Sequence, residues 1–250
     1  MHPQLRAIAD SRLGVFASRE ALGVGYRDED VRAQLRARQW VRLRKGVYIA
    51  ADDVPADSGQ RHLVDCLAVL LSLGAGPVLS HASAARLHGL IVPRTDPGDV
   101  RVTAVDQWRR GRGYRVARAA LPDDEVLPWS GFRTTSVART LVDCAREWSL
   151  TAGVIAIDAA VHPRKIERAE IHRAVLAGTH RVGIAGAARA LALADGRAES
   201  PLETRGRLAL LSAGLPRPEL WSRSTTAPDS SGGWTPGTRR RRSLSSSTGG

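Results

Sequence analysis

Two short strand patterns joined by a tight turn, arriving only forty residues into the chain, constrain its fold more than any other feature. Trp40-Val41-Arg42-Leu43-Arg44 alternates apolar and basic residues, the period of a half-buried strand. Lys45-Gly46 supplies a tight turn into a second strand, Val47-Tyr48-Ile49-Ala50. Three helical patterns precede this hairpin. Leu5, Ile8, Leu13 and Phe16 fit one helical stripe with Pro3 at its start. Ser18 caps a short second helix over 19–22, which stops at Gly23-Val24-Gly25. A third helix starts near Asp28, with Asp28, Glu29 and Asp30 in its first turn, where the helix dipole favours acids, and Val31 and Leu35 facing inward. Helix, helix, tight turn, helix, hairpin is the order of a winged helix-turn-helix. Trp40 and Tyr48 are expected to pack its wing against the helices.

Charge gives this segment a functional reading. The chain carries 37 Lys+Arg against 25 Asp+Glu, for a formal net charge of +12. The excess is clustered: residues 1–50 hold ten basic residues against five acids, and residues 101–119 six against one. Between Val31 and Lys45 there are six basic residues and no acid. A recognition helix enters the major groove while a wing follows the backbone. Arg32 and Arg36 are therefore expected to reach bases or phosphates of double-stranded DNA, and Arg42, Arg44 and Lys45 phosphates. Neutralising about five phosphates would give log K a slope of roughly −4 to −5 against log salt. One feature opposes this reading: Asp28, Glu29 and Asp30 occupy the helix end usually pushed deepest into the groove, where they repel phosphate. The second basic stretch, Arg109-Arg110-Gly111-Arg112-Gly113-Tyr114-Arg115, reads as a loop that either extends the DNA footprint or is ordinary arginine-rich surface.

Beyond a polar linker at 51–59, residues 60–197 read as a mixed α+β middle domain. A buried helix is expected over 63–73, another over 80–90 capped by Ser80, short strands at 100–105 and 114–118, an amphipathic helix over 134–148, and Ala-rich helices to 197. A helix over 201–213 follows. Residues 222–250 are nearly all Ser, Thr, Gly, Pro and Arg, too poor in apolar area to offset about 1–2 kcal/mol per residue of backbone ordering, so a disordered basic tail is expected.

Several chemistries are not expected. The longest apolar runs, at 67–73 and 154–161, fall short of the roughly 20 residues that span a bilayer, and the N-terminus has no apolar signal core, so a cytoplasmic protein is expected. Cys66 and Cys144 form neither a disulfide framework nor a zinc knuckle. His81 and His88 lie two helical turns apart, about 10.5 Å of rise, too far to share a metal ion. Ser80, Ser83 and His81 have no acid at suitable spacing for a hydrolase triad. Gly111-Arg112-Gly113 is too short to cradle phosphates. No cofactor, metal or catalytic residue is expected.

The run VRAQLRARQWVRLRKGVYIA, with its W-x-R-x-x-x-G-V-Y pattern, resembles the N-terminal winged helix of AbiEi-family antitoxins. LSHASAARLHGL and TTSVARTLVDCARE resemble the middle region of actinobacterial proteins carrying that domain. ESPLETRGRLALLSAGLPRPEL resembles the opening of a C-terminal domain related to very-short-patch-repair endonucleases. The resemblance implies a DNA-binding antitoxin of a type IV toxin–antitoxin system that represses its own operon at a promoter or operator. It also implies a nucleotidyltransferase-like toxin as a partner. The nuclease-like fold would need Glu203 on a helix, then an Asp and a Glu-x-Lys on strands to hold Mg²⁺. After Glu203 only Glu219 and Asp229 are acidic, and no lysine follows Lys165. Residues 198–221 are thus expected to be a truncated endonuclease-like segment without nuclease activity. The abrupt change after Trp221 is what an out-of-frame reading of a G+C-rich strand would produce, and a frameshift origin is expected for the tail.

The expected protein is α+β and non-enzymatic: a winged helix-turn-helix at 1–50, a linker at 51–59, the middle domain at 60–197, the truncated segment at 198–221 and the tail at 222–250. The alternatives are a degraded endonuclease-like protein and a scaffold that binds a protein through its middle domain.

Overall fold

The first helix, α1 (Pro3–Asp10), ends where the backbone turns left-handed at Leu13 and Gly14, with the Gly14 amide donating to the carbonyl of Ala9 at 2.8 Å. A Cβ on Gly14 would come 2.9 Å from the Asp53 Cβ, so the turn needs glycine. The apolar stripe expected to run on through Leu13 and Phe16 is therefore broken. Leu13 is exposed, and Phe16 sits in a strand, β1 (Val15–Ala17). Then come α2 (Ser18–Gly23), α3 (Asp28–Arg36), β2 (Trp40–Arg44) and β3 (Val47–Ala50). The strands form an antiparallel sheet in the order β1-β3-β2. With its three helices this sheet is a winged helix-turn-helix. The computed structural model describes residues 1–162 and 164–215. The expected tail at 222–250, and the end of the segment expected at 198–221, lie outside the described residues.

Alternation along these strands gives the small sheet two buried faces. Phe16, Trp40 and Tyr48 point toward Leu5, Ala21 and Val31 of the helices, with the Phe16 and Trp40 rings edge-to-face at 4.8 Å. Val15, Ala17, Val47 and Ile49 point the other way, onto Val64, Leu67, Ala68 and Leu71 of α4 (Ser58–Leu73). Each fully buried aliphatic side chain there contributes roughly 1.5–3 kcal/mol. Leu43, three residues on from Trp40, falls on this second face by alternation, and the register shifts beside it, between Arg42 and Arg44. Residues 51–59, expected as a linker, hold a 3₁₀ turn (Ala51–Asp53) and the start of α4, capped by the Asp57 carboxylate. The apolar core continues across them.

The other face of α4 (Cys66, Val69, Leu70) covers a six-stranded mixed sheet. Its strands are β4 (Val78–Leu79), β5 (Val100–Ala104), β6 (Arg109–Gly111), β7 (Tyr114–Arg118), β8 (Val126–Trp129) and β9 (Phe132–Thr135), in the order β6-β7-β5-β4-β9-β8. The β5/β7 and β4/β9 pairs are parallel and the rest antiparallel. The basic stretch expected as a loop is the β6–β7 hairpin. A helical layer follows: α5 (His81–Leu87), α6 (Val137–Ala145), α7 (Leu150–Val161), α8 (Arg168–Ala177), α9 (Ile184–Leu193) and α10 (Pro201–Ser212). The fold is mixed α+β. The helix expected from residue 134 starts after Ser136, because Thr134 and Thr135 are drawn into β9 and the Ser136 hydroxyl caps the Arg139 amide. The ESPLETR helix, α10, docks on α7. Arg207 and Thr204 each reach Asp158 Oδ2 at 2.7 Å, and the Asp195 amide donates to Asp158 Oδ1 at 2.6 Å.

Candidate nucleic-acid interface

Helix α3 buries Val31 against the sheet, with Leu35 packed beside it, and leaves Glu29, Arg32, Ala33 and Arg36 on one solvent-facing stripe. Arg32 and Arg36 are exposed and make no hydrogen bond or ion pair among the described residues. Arg38, just past the helix, has a left-handed backbone (φ 55°) and is also exposed. Of the three acids in the first turn, Asp30 accepts from the Arg27 amide at 2.8 Å and so caps the helix, while Asp28 and Glu29 stand free at its tip. The cationic part of the stripe is therefore its C-terminal half.

On the wing, Arg42 and Lys45 are exposed, and the Arg42 Nε donates weakly to the Arg44 carbonyl at 3.4 Å. Arg44 faces elsewhere. Its Nη1 donates to the Arg112 carbonyl at 3.1 Å, and its guanidinium lies 5.4 Å from the centroid of the Tyr114 ring. Arg44 thus binds the wing to the β6–β7 hairpin and is no free phosphate ligand in this arrangement. The contact sets the two basic stretches side by side: Arg32, Arg36, Arg42 and Lys45 on the winged helix, and Arg109, Arg110 and Arg112 on the hairpin. Arg115 is tied to Asp99 at 3.0 Å. The hairpin itself depends on Gly111, where a Cβ would overlap the Tyr114 ring.

Glu203, the residue matched to a nuclease metal ligand, sits in the first turn of α10 and shares in capping it, with Ser200 as the N-cap. Its carboxylate accepts from the Glu199 amide at 2.9 Å and the Ser200 hydroxyl at 3.0 Å, while its own amide donates to Ser200 Oγ at 3.3 Å. His88 Nε2 meets the Thr135 carbonyl at 2.7 Å, whereas His81 meets Ser80 and Glu147.

Spacing along the chain missed one constellation. Thr103 Oγ1 donates to Ser80 Oγ at 2.8 Å, and Ser80 Oγ lies 2.9 Å from His81 Nδ1. His81 Nε2 lies 3.3 Å from Glu147 Oε1, a contact without hydrogen-bond geometry. The Glu147 carboxylate also takes both terminal nitrogens of Arg101, at 2.7 and 2.8 Å. Burial pushes the Glu147 carboxyl up, but the nearby His81 ring and the hydrogen bonds from Arg101 outweigh it and hold it well below the usual carboxylate range. The acid judged absent from sequence spacing is thus supplied by Glu147, 66 residues beyond His81 in the chain and just past α6. Serine, histidine and glutamate are aligned, yet Ser80 is wholly buried and its oxygen already accepts from Thr103, so no substrate carbonyl can reach it. The arrangement orients Glu147 and Arg101.

No family model matches the chain. Two Mycobacterium tuberculosis proteins, uncharacterized protein MT2308 (strain CDC 1551 / Oshkosh) and uncharacterized protein Rv2248 (strain ATCC 25618 / H37Rv), are each 33% identical to it over 187 residues. That alignment covers 72% of this chain and 63% of either relative, so the chain spans less than two thirds of the length of the curated relatives it matches. The crystal structure of the RV2827C protein from Mycobacterium tuberculosis aligns over 82% of this chain and 79% of its own, with a TM-score of 0.49 and 16% identity. Among the described residues no helix is long and apolar enough to cross a membrane.

Proposed function

We propose that this chain is a DNA-binding regulator that engages double-stranded DNA through α3 and the wing. The observation that carries the reading is the set of exposed cations on the winged helix, Arg32, Arg36, Arg42 and Lys45, none of them engaged by an acid among the described residues. An exposed cation without an acid adds little to folding, whereas the same cation placed on a phosphate releases a counterion. Arg32 and Arg36 face the groove; Arg42 and Lys45 follow the backbone; Arg44 fixes the angle between wing and hairpin.

The finer reading follows the AbiEi resemblance: an antitoxin that represses its own operon and counters a nucleotidyltransferase-like toxin in the cytoplasm without enzymatic chemistry of its own. The test is fluorescence anisotropy with duplex DNA from the upstream promoter, titrated at several salt concentrations. With four free cations in place of five, the expected slope of log K against log salt is about −3.6. Affinity independent of salt, or unchanged in Arg32→Ala/Arg36→Ala, rejects the DNA reading. The antitoxin reading is tested separately, by whether co-expression relieves growth arrest caused by a toxin encoded beside it.

A further inference from the structure

A cleft of about 750 Å³ opens between the C-terminal end of α6, the α8–α9 connection, strand β7 and the β6 hairpin strand. That is within the range of sites that hold small organic ligands, about 300–1,000 Å³. Its lining contains eight arginines against two acids, Asp143 and Glu147. Asp143 Oδ2 accepts from Arg139 Nε at 2.7 Å, while its Oδ1 has no hydrogen bond and lies 3.6 Å from Arg146 Nε; Glu147 accepts from both terminal nitrogens of Arg101. The surplus is cationic, and part of it is buried. The Arg181 side chain is only 8% exposed, yet its Nη1 has no hydrogen-bond partner, and its one ion pair is a 3.4 Å contact from Nη2 to Glu125. Arg146, at 14% exposure, also leaves Nε without a hydrogen bond, but that atom faces Asp143 Oδ1 in a 3.6 Å ion pair. A guanidinium buried with an unused donor costs stability unless something occupies that donor.

The rim adds two features. Arg110 and Arg118 are exposed and unpaired among the described residues. Trp108 stands at the mouth, 74% exposed, the most open of the described tryptophans. An indole left in water beside a cationic cleft is suited to stack on a planar ring. At the cleft wall His81 has a left-handed backbone (φ 50°), unusual for a non-glycine residue, and is locked by Ser80 and Glu147. Spread guanidinium donors deep and at the rim fit a chain of phosphates better than a single anion.

We propose that this cleft binds a nucleoside polyphosphate, with the phosphate chain on Arg118, Arg146 and Arg181 and the base stacked on Trp108. The site lies apart from α3 and does not depend on the DNA reading. The β6–β7 hairpin links it to that surface, carrying Arg109 and Arg110 into the cleft lining and holding Arg44 of the wing.

The test is isothermal titration of the full chain with ATP, pyrophosphate and adenosine as separate probes. ATP is expected to bind saturably at one site, pyrophosphate more weakly, and adenosine not measurably. Arg118→Ala should weaken ATP and pyrophosphate about tenfold each. Trp108→Ala should weaken ATP about tenfold and leave pyrophosphate unchanged. Both side chains are exposed, so neither variant removes part of the core. Arg32→Ala/Arg36→Ala should bind ATP as the parent does, whatever happens to DNA binding. No saturable ATP binding, or ATP binding indifferent to both Arg118→Ala and Trp108→Ala, overturns the proposal. So does a single-stranded oligonucleotide that outcompetes ATP with the same dependence on those two residues, since the cleft would then be a strand-binding channel.

Discussion

Arg32 and Arg36 on α3, and Arg139 and Arg207 on α6 and α10, are the same residue on the same kind of element, and their surroundings could hardly differ more. The first two stand in water without a partner among the described residues. Arg207 is fully buried against Asp158, and Arg139, 1% exposed, is held by Asp143, Glu125 and the Ala120 carbonyl. A guanidinium enters the interior only where a carboxylate and carbonyls are waiting for it. The buried pair therefore specifies how the helices dock, while the exposed pair is left for something outside the chain. A net charge of +12 mixes both kinds.

The largest expected effect breaks the buried side of this contrast. Arg207→Ala leaves Asp158 enclosed with only Thr204 and the Asp195 amide, and should lower stability by about 3–5 kcal/mol. Urea unfolding measures it, and a loss below about 1 kcal/mol would show that burial gives this arginine no special weight. DNA affinity of the folded fraction should not change. Arg32→Ala/Arg36→Ala should do the reverse. Stability stays within about 0.5 kcal/mol. Affinity for duplex DNA falls about thirtyfold, with the salt slope shallower by about 2.

A partly buried histidine that the fold keeps neutral sharpens the rule. His62 sits on α4 with its Nε2 3.0 Å from Ser83 Oγ, and burial, together with the charge of Arg86, lowers its pKa to about 4. The folded state thus keeps the ring neutral, whereas the unfolded chain takes up a proton below about 6.5. The stabilisation is complete above that value and is lost as the pH falls from about 6.5 to about 4. With the ring partly open to solvent, the loss between pH 7 and 4.5 should be about 1.5 kcal/mol. His62→Gln should remove that part of the pH dependence in urea midpoints taken across the range.

The winged helix was legible in the sequence because its signals are local: the 3.6-residue stripe of α3, the Lys45-Gly46 turn and the alternation in the strands. Its first strand was not. Val15-Phe16-Ala17 is too short to show a period, and only pairing with β3 makes it a strand. β4, β6, β8 and β9 are likewise only two to four residues long, and β4 is joined to β5 and β9 by partners more than twenty residues away. At the site, Arg32, Arg36, Arg42 and Lys45 lie on the surface where the helical and strand patterns put them. Arg44 does not, because its environment is set by Arg112 and Tyr114, some seventy residues distant. The Glu147 partner of His81 was hidden for the same reason. A clue did exist in the second basic stretch, where Tyr114 is the one large apolar residue among arginines.

Arg44 is the intermediate case and gives the smallest effect. It is half-buried and bonded to a carbonyl and an aromatic face, with Asp65 near enough to feel its charge but no ion pair to it among the described residues. If it belongs with the interior arginines, Arg44→Ala costs about 1 kcal/mol through the lost hydrogen bond and cation–π contact, and the salt slope of DNA binding stays that of the parent. If it belongs with the exposed set, stability is unchanged and the slope becomes shallower by about 1. Gly111→Ala separates these cases without touching the charge. The added methyl displaces the Tyr114 ring and loosens Arg44 from its seat, so an interior Arg44 predicts that this variant lowers stability by about 1–3 kcal/mol and frees one more cation for phosphate. The salt slope should then steepen by about 1 relative to the parent. A slope that becomes shallower in Gly111→Ala would mean that Arg44 meets phosphate from the seat it already occupies.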